Sequence, residues 1–129
     1  MAERINKVTL VLDRNYGAEL SSVPRDRHIW LIESSANRDA AANYRAAQEP
    51  SASENSVTTF KARDDDSGSE TCLKMLDTID LHHGLYSAGP QYSVLEIVGA
   101  PLCRSVRGAI EALGFSRFEL TADGFRALR

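Results

Sequence analysis

Val8-Thr9-Leu10-Val11-Leu12 is a short, nearly continuous apolar run, and Ile29-Trp30-Leu31-Ile32 is a second run of the same kind. A third run, Tyr92-Ser93-Val94-Leu95-Glu96-Ile97-Val98, lies in the last third of the chain. Strands that helices cover on both faces have this composition, because neither face needs to be polar. The three runs therefore predict the central strands of a sheet that is buried between helices.

Two further segments alternate apolar and polar residues, as half-exposed edge strands do. They are residues 57–62 and 115–120. The helical spacing of apolar residues, together with caps and breakers, predicts three main helices, a final short helix and a single turn in the first connection. The main helices are expected at about 36–47, at 72–83 before Gly84 and at 101–113. The final short helix is expected at 122–128, and the single turn at 18–22.

Strands that alternate with helices indicate an α/β domain. We predict a three-layer sandwich with a five-stranded, mostly parallel sheet in the order 3-2-1-4-5 and helices on both faces. The order 2-1-3-4-5 is disfavoured because it would expose the Ile29–Ile32 run at an edge. In the preferred order the connections reverse direction between strands one and four, so a ligand crevice is expected at the carboxyl ends of these strands.

The chain has 129 residues, of which 43% are hydrophobic, so residues 1–129 can form one domain around a single core. A formal net charge of -3 argues against nucleic acid binding through broad phosphate neutralisation. The absence of a signal-peptide pattern and of a bilayer-long apolar stretch predicts a cytoplasmic protein with no membrane contact. Cys72 and Cys103 form no Cys-x-x-Cys pair and are predicted to be buried free thiols on helices.

Polar side chains follow the predicted central strands at the expected crevice. Asp13 follows strand one and Glu33 follows strand two, and carboxylates at this position can hold a metal ion or polarise a water molecule. Both are candidate catalytic residues, although Asp13 also fits a loop residue that bonds its own backbone. Helix-start amides, hydroxyls and guanidinium groups attract anions. The predicted ligand-binding residues are Arg14, Asn15, Ser34, Ser35, Arg38, Gly99 and Arg104.

Two of the three histidines stand together in Asp80-Leu81-His82-His83-Gly84, at the predicted end of the second helix. Adjacent helical residues point about 100° apart, so His82 and His83 are not expected to hold one metal ion. Asp80 and His83 are three residues apart and share a face, which makes His83 a third catalytic candidate. The alternative is a plain helix end, where imidazoles complement the helix dipole and Gly84 provides a left-handed cap.

The connection from Tyr86 to Tyr92 concentrates tyrosines among small residues, and together with His82 it is predicted to form a protein interaction surface. Most of the acidic charge lies in residues 51–100, whereas residues 101–129 are mildly basic. The phosphate-binding patterns GxxxxGK[ST] and GxGxxG do not occur, so no nucleotide cofactor is predicted. No metal is predicted either.

Two functions fit these observations. The first is a small cytoplasmic interaction or regulatory domain without catalytic activity, which contacts a protein partner or a second copy through the acidic region and the Tyr86–Tyr92 loop. The alternative is a small-molecule or phosphoester-processing enzyme that acts on a small anionic ligand with Asp13 and Glu33 at its centre. The lack of a recognisable catalytic motif favours the first hypothesis.

Overall fold

The protein is described by a computed structural model for residues 7–14, 27–48, 56–63, 65–85 and 92–129. Six strands and three helices occupy these ranges. In chain order they are β1 (Lys7–Val11), β2 (His28–Ile32), α1 (Ser35–Gln48), β3 (Ser56–Phe60), α2 (Gly68–Leu85), β4 (Val94–Val98), α3 (Arg104–Ala112), β5 (Arg117–Leu120) and β6 (Gly124–Leu128). None of the helices in these ranges has the length and apolar character needed to cross a membrane.

The strands form one sheet in the order β3-β2-β1-β4-β6-β5. The first four are parallel, whereas β6 is antiparallel to both β4 and β5. β1 lies inside the sheet, with Leu10 opposite Trp30 of β2 and Ile97 of β4. The α/β class, the mostly parallel sheet and the order 3-2-1-4 of the first four strands are therefore confirmed.

The C-terminal end of the sheet differs from the prediction. β6 (Gly124–Leu128) lies within the segment 122–128 that the sequence assigns to a short helix, so the described sheet has six strands and not five. Because β6 lies between β4 and β5, the order 3-2-1-4-5 is wrong in its last position. The physical reason is a two-residue period, since Phe125 and Ala127 are buried while Arg126 between them is exposed. The Thr121 amide donates to the Gly124 carbonyl over 3.0 Å and closes the hairpin that joins β5 to β6.

Alternate residues of the central strands face two separate hydrophobic clusters. On one face Leu10 packs in a cluster with Met75 of α2 and Ile110 of α3. On the other face Leu31 belongs to a cluster with Ala41 of α1. Each of these side chains is almost completely removed from solvent. The sheet is therefore covered by α2 and α3 on one face and by α1 on the other.

The helix ends lie close to their predicted positions. α2 includes Gly84 and ends at Leu85, so Gly84 lies in the last helical turn instead of at the cap. α3 begins at Arg104 and not at Pro101, with Cys103 as its N-cap residue. α3 stops just before Gly114, whose φ of 99° is accessible mainly to glycine.

Phe125 tests the assignment of β6, because it is the largest fully buried side chain in the described part of the chain. Phe125→Ala is expected to lower the free energy of unfolding by about 3–5 kcal/mol, since it removes buried apolar surface and leaves a cavity. Arg126→Ala, at the exposed neighbouring position, is the control and is expected to stay within about 1 kcal/mol of the wild type. Urea unfolding followed by circular dichroism measures both, and equal effects would contradict the inward orientation of Phe125.

Candidate functional site

The carboxyl ends of the parallel strands and the N-termini of the helices that follow them meet at one edge of the sheet. β1 ends at Val11, β2 ends at Ile32 and β4 ends at Val98. α1 begins shortly after β2, and α3 begins shortly after β4. Parallel strands collect their connecting loops at this edge, which is where α/β proteins most often bind ligands. We call it the carboxyl edge.

Ser34 connects the end of β1 to the start of α1. Its Oγ accepts a hydrogen bond from the Asn37 amide over 3.1 Å, so Ser34 caps the helix. The same hydroxyl donates to the Arg14 carbonyl over 2.7 Å. The Arg38 amide donates to the Ser34 carbonyl over 2.9 Å. The bond from Arg38 is the first regular hydrogen bond of α1. Of the first-turn amides that no helical carbonyl can reach, that of Asn37 is satisfied by Ser34, and those of Ser35 and Ala36 remain for other acceptors.

Asn37 is completely buried at this position. Its Nδ2 donates to the Ile32 carbonyl over 2.9 Å and to the Asp13 carbonyl over 3.4 Å, so the side-chain amide lies between the ends of β2 and β1. Its Oδ1 has no hydrogen-bond partner among the described residues. Both neighbouring carbonyls require the NH2 group, so turning the amide around would not satisfy the oxygen. An unpaired buried acceptor of this kind costs about 1–3 kcal/mol.

Charged side chains surround the start of α1. The Asp13 side chain is exposed, and the Glu33 side chain is partly exposed with its Oε1 3.8 Å from Nη1 of Arg38. Nη2 of Arg14 donates to the Arg63 carbonyl over 2.8 Å. Across the ranges that the structure describes, no three histidine, cysteine or carboxylate side chains are grouped so that they could hold a metal ion. The groups of this arrangement that attract anions are the Arg38 guanidinium and the helix-start amides.

The backbone of Gly99 lies close to the backbone at the end of β1, just after the end of β4. The Leu12 amide donates to the Val98 carbonyl over 2.8 Å, and a Cβ atom on Gly99 would lie 3.1 Å from the Asp13 nitrogen. The Gly99 amide donates to the Asp123 carbonyl over 2.9 Å, because the β5–β6 turn reaches the same edge. Backbone therefore packs against backbone at the expected crevice, and the polar groups with hydrogen-bonding capacity lie on the β1–β2 side.

Cys103 differs from its predicted environment. It is only partly buried, because it precedes α3 as the N-cap residue and is not part of the helix. Its Sγ lies 3.4 Å from Ser105 Oγ and 3.6 Å from Ser69 Oγ. The Ser105 hydroxyl, followed by the Val106 amide and the Ser69 hydroxyl, lowers the pKa of Cys103 from 9.0 to about 7. Cys103 is therefore a partly ionised, accessible thiol at neutral pH.

Cys72 is a buried free thiol in α2, as predicted. Desolvation raises the pKa of Cys72 to about 12. The two cysteines therefore have opposite reactivities, since only the thiolate is a strong nucleophile.

The histidine segment and the tyrosine loop are described only in part. The backbone of Asp80–Gly84 is helical, whereas the side chains of His82 and His83, and Tyr86 and Asn15 as whole residues, lie outside the described part of the chain. Tyr92 is half-buried, with its hydroxyl 2.5 Å from Nδ1 of His28. Burial also raises the pKa of Tyr92. Tyr92 thus contacts the first residue of β2.

The two remaining residues of the predicted ligand set, Ser35 and Arg104, are exposed at the first positions of α1 and α3.

Two residues that the sequence did not single out contribute to the carboxyl edge. Asn37 could have been noticed as a polar residue one turn before Ala41 on the buried face of α1. The hydroxyl of Ser69 near Cys103 belongs to α2 and has no signal in the sequence.

Comparison with known proteins finds no family model, no curated protein and no solved structure that matches this chain.

Proposed function

We propose that this protein is a small regulatory domain that binds a small polar ligand at the carboxyl edge, between the ends of β1 and β2, without converting it chemically. The observation that carries the proposal is the buried Asn37 side chain, whose Oδ1 has no partner among the described residues. Buried acceptors are nearly always satisfied in native proteins, so an unsatisfied one commonly marks the place of a water, an ion or a ligand.

The chemistry of the ligand follows from the groups around Asn37. Oδ1 requires a hydrogen-bond donor, which is an N–H or O–H group of the ligand. The free amides of Ser35 and Ala36, at the positive end of a 14-residue helix, favour an anionic group. The guanidinium group of Arg38 adds positive charge on the same turn. A small molecule that carries both an anionic group and a hydroxyl or amino group combines these properties.

A ligand can reach the buried Oδ1 of Asn37 when the weaker of the two hydrogen bonds of the Asn37 side chain breaks. The contact between Nδ2 and the Asp13 carbonyl is 3.4 Å long, whereas the contact with the Ile32 carbonyl is 2.9 Å long. The long contact contributes less, so the end of β1 separates from Asn37 more easily than the end of β2 does. Ligand entry then displaces the Asp13–Arg14 segment, which also breaks the 2.7 Å hydrogen bond from Ser34 Oγ to the Arg14 carbonyl. This displacement is the signal that a regulatory domain needs.

The carboxylates of the edge have no catalytic role in this proposal. Glu33 Oε1 lies 3.8 Å from Nη1 of Arg38, and Asp13 contacts Asn37 through its backbone carbonyl. The catalytic alternative makes the Asp13 carboxylate essential, so Asp13→Asn separates the two functions. Under the regulatory proposal, the variant retains most of the ligand affinity, because the substitution leaves Asn37 Oδ1 and the helix-start amides of α1 unchanged.

The experiment compares two probes, inorganic phosphate and glycerol phosphate, which adds hydroxyl donors to the same anion. We expect both to shift the backbone amide resonances of residues 33–38, with glycerol phosphate binding about tenfold more tightly because one additional hydrogen bond of about 1.4 kcal/mol is formed. Asn37→Ala is expected to abolish that difference. Asn43→Ala, at an exposed position of the same helix, is the control and is expected to preserve it.

Circular dichroism establishes that Asn37→Ala is folded before its affinities are compared. The proposal is wrong if neither probe perturbs residues 33–38 of the wild type. It is equally wrong if the folded Asn37→Ala variant still prefers glycerol phosphate as strongly as the wild type does.

A further inference from the structure

We propose that β5 is a dimerisation strand, which pairs antiparallel with β5 of a second copy of this chain in a register centred on Phe118. Among the strands that the structure describes, β5 is the last of the sheet order and has β6, on its inner side, as its one partner. Its last residue, Leu120, is the most exposed large hydrophobic side chain of the described residues, at 80%. An edge strand with an exposed apolar residue is a template for strand addition.

The hydrogen bond at the β5–β6 turn determines which backbone groups of β5 face the free edge. The Thr121 amide donates to the Gly124 carbonyl, so these two residues form a hydrogen-bonded pair. Hydrogen-bonded pairs alternate along an antiparallel ladder, so the backbone groups of Glu119 also face β6. The backbone groups of Phe118 and Leu120 therefore face the edge, where a second strand can bond to them.

The charges of β5 select one register from the possible ones. Residues whose backbone groups face the edge pair with residues of the same kind in the second copy. Phe118 can therefore lie opposite the partner's Phe118, or the two strands can be shifted by two residues from this alignment. In the centred register Arg117 lies opposite the partner's Glu119, and the two-fold symmetry makes this ion pair twice. In the shifted registers Glu119 faces the partner's Glu119, or Arg117 faces the partner's Arg117. Only the centred register combines opposite charges across the whole strand.

The apolar face of β5 supports the same register. Phe118 packs against the hydrophobic cluster under α3, and the guanidinium group of Arg107 lies 4.8 Å from its ring centroid. Leu120 lies on the same face of the strand as Phe118. In the centred register Leu120 is the diagonal neighbour of the partner's Phe118, within reach of an aromatic ring. Pairing thus covers the exposed side chain and extends the apolar cluster from one copy to the other.

Sedimentation equilibrium of the full chain tests this proposal with a charge exchange. We expect the wild type to dimerise, and we expect Arg117→Glu and Glu119→Arg each to weaken dimerisation at least tenfold, because each variant places like charges opposite each other. An equimolar mixture of the two variants is expected to recover the association, since one copy presents two carboxylates and the other presents two guanidinium groups. A variant that failed to fold could not recover in the mixture.

Lys61→Glu is the matched control, because it makes the same change of charge at an exposed position just after β3, at the opposite end of the sheet. It is expected to dimerise like the wild type. A wild type that remains monomeric up to about 1 mM overturns the proposal. So does a wild type whose association is unchanged by both single substitutions, or a mixture that associates no better than either variant alone.

Discussion

Gly124→Ala is expected to destabilise the protein by about 3–5 kcal/mol, which is the largest effect that we expect from the addition of a single methyl group. A Cβ atom at this position would lie 1.9 Å from the Ile97 carbonyl oxygen and 2.9 Å from its carbonyl carbon. Both atoms belong to the backbone of β4, so relief requires β6 to move away from the strand that it pairs with. The substitution therefore acts on the pairing that joins the C-terminal hairpin to the parallel strands.

Gly108→Ala is the matched control, since a Cβ atom at this exposed position of α3 would meet no other atom within 4 Å. It is expected to stabilise the protein by about 0.5–1 kcal/mol, because alanine loses less conformational entropy than glycine in a helix. Urea unfolding of both variants measures the difference. If the two alanine variants have the same stability, β6 does not pack against β4 as the structure describes.

The rate at which iodoacetamide alkylates Cys103 is expected to rise about 50-fold between pH 5 and pH 7, because the reactive thiolate fraction follows a pKa of about 7. Mass spectrometry of the modified protein identifies the alkylated residue. Cys72 is expected to stay unmodified in the folded protein, since burial both shields it and raises its pKa to about 12. An alkylation midpoint for Cys103 near pH 9 would contradict the described environment.

Ser105→Ala is expected to move the alkylation midpoint of Cys103 to higher pH, because the Ser105 hydroxyl makes the largest contribution to the lowered pKa. Ser116→Ala, in the exposed segment after α3, removes a hydroxyl that takes no part in this cluster and is expected to leave the midpoint unchanged. A Ser105→Ala midpoint equal to that of the wild type would show that the Ser105 hydroxyl does not lower the pKa of Cys103.

The sequence predicts that a strand is buried when helices cover both of its faces. β1 and β2 are continuous apolar runs because helices lie on both sides of them, and this property was sufficient to predict their central positions. β6 was harder, since Gly124–Leu128 is only five residues long and its apolar residues also fit one turn of a helix. Its strand conformation depends on pairing with β4, which is a tertiary interaction.

At the candidate site, too, contacts between residues close in sequence could be predicted, and contacts between residues far apart in sequence could not. The cap at Ser34 was predictable because it depends on residues within one helical turn. The position of Asn37 depends on the carbonyls of Ile32 and Asp13, which belong to two different strands. The pKa of Cys103 depends partly on Ser69, at the start of another helix. Contacts of this kind follow from topology and leave no pattern in the order of residues.

The internal position of β1 has a consequence for how the chain folds. Lys7 pairs with Val94, so one side of β1 is completed only after most of the chain has been brought back to it. Closing such a long loop slows folding, and domains dominated by distant strand pairs fold in milliseconds to seconds. By contrast, β4, α3, β5 and β6 follow one another directly and can assemble first. Until β1 docks, the apolar edge of β4 stays unpaired, and that interval is when the folding chain is most prone to aggregate.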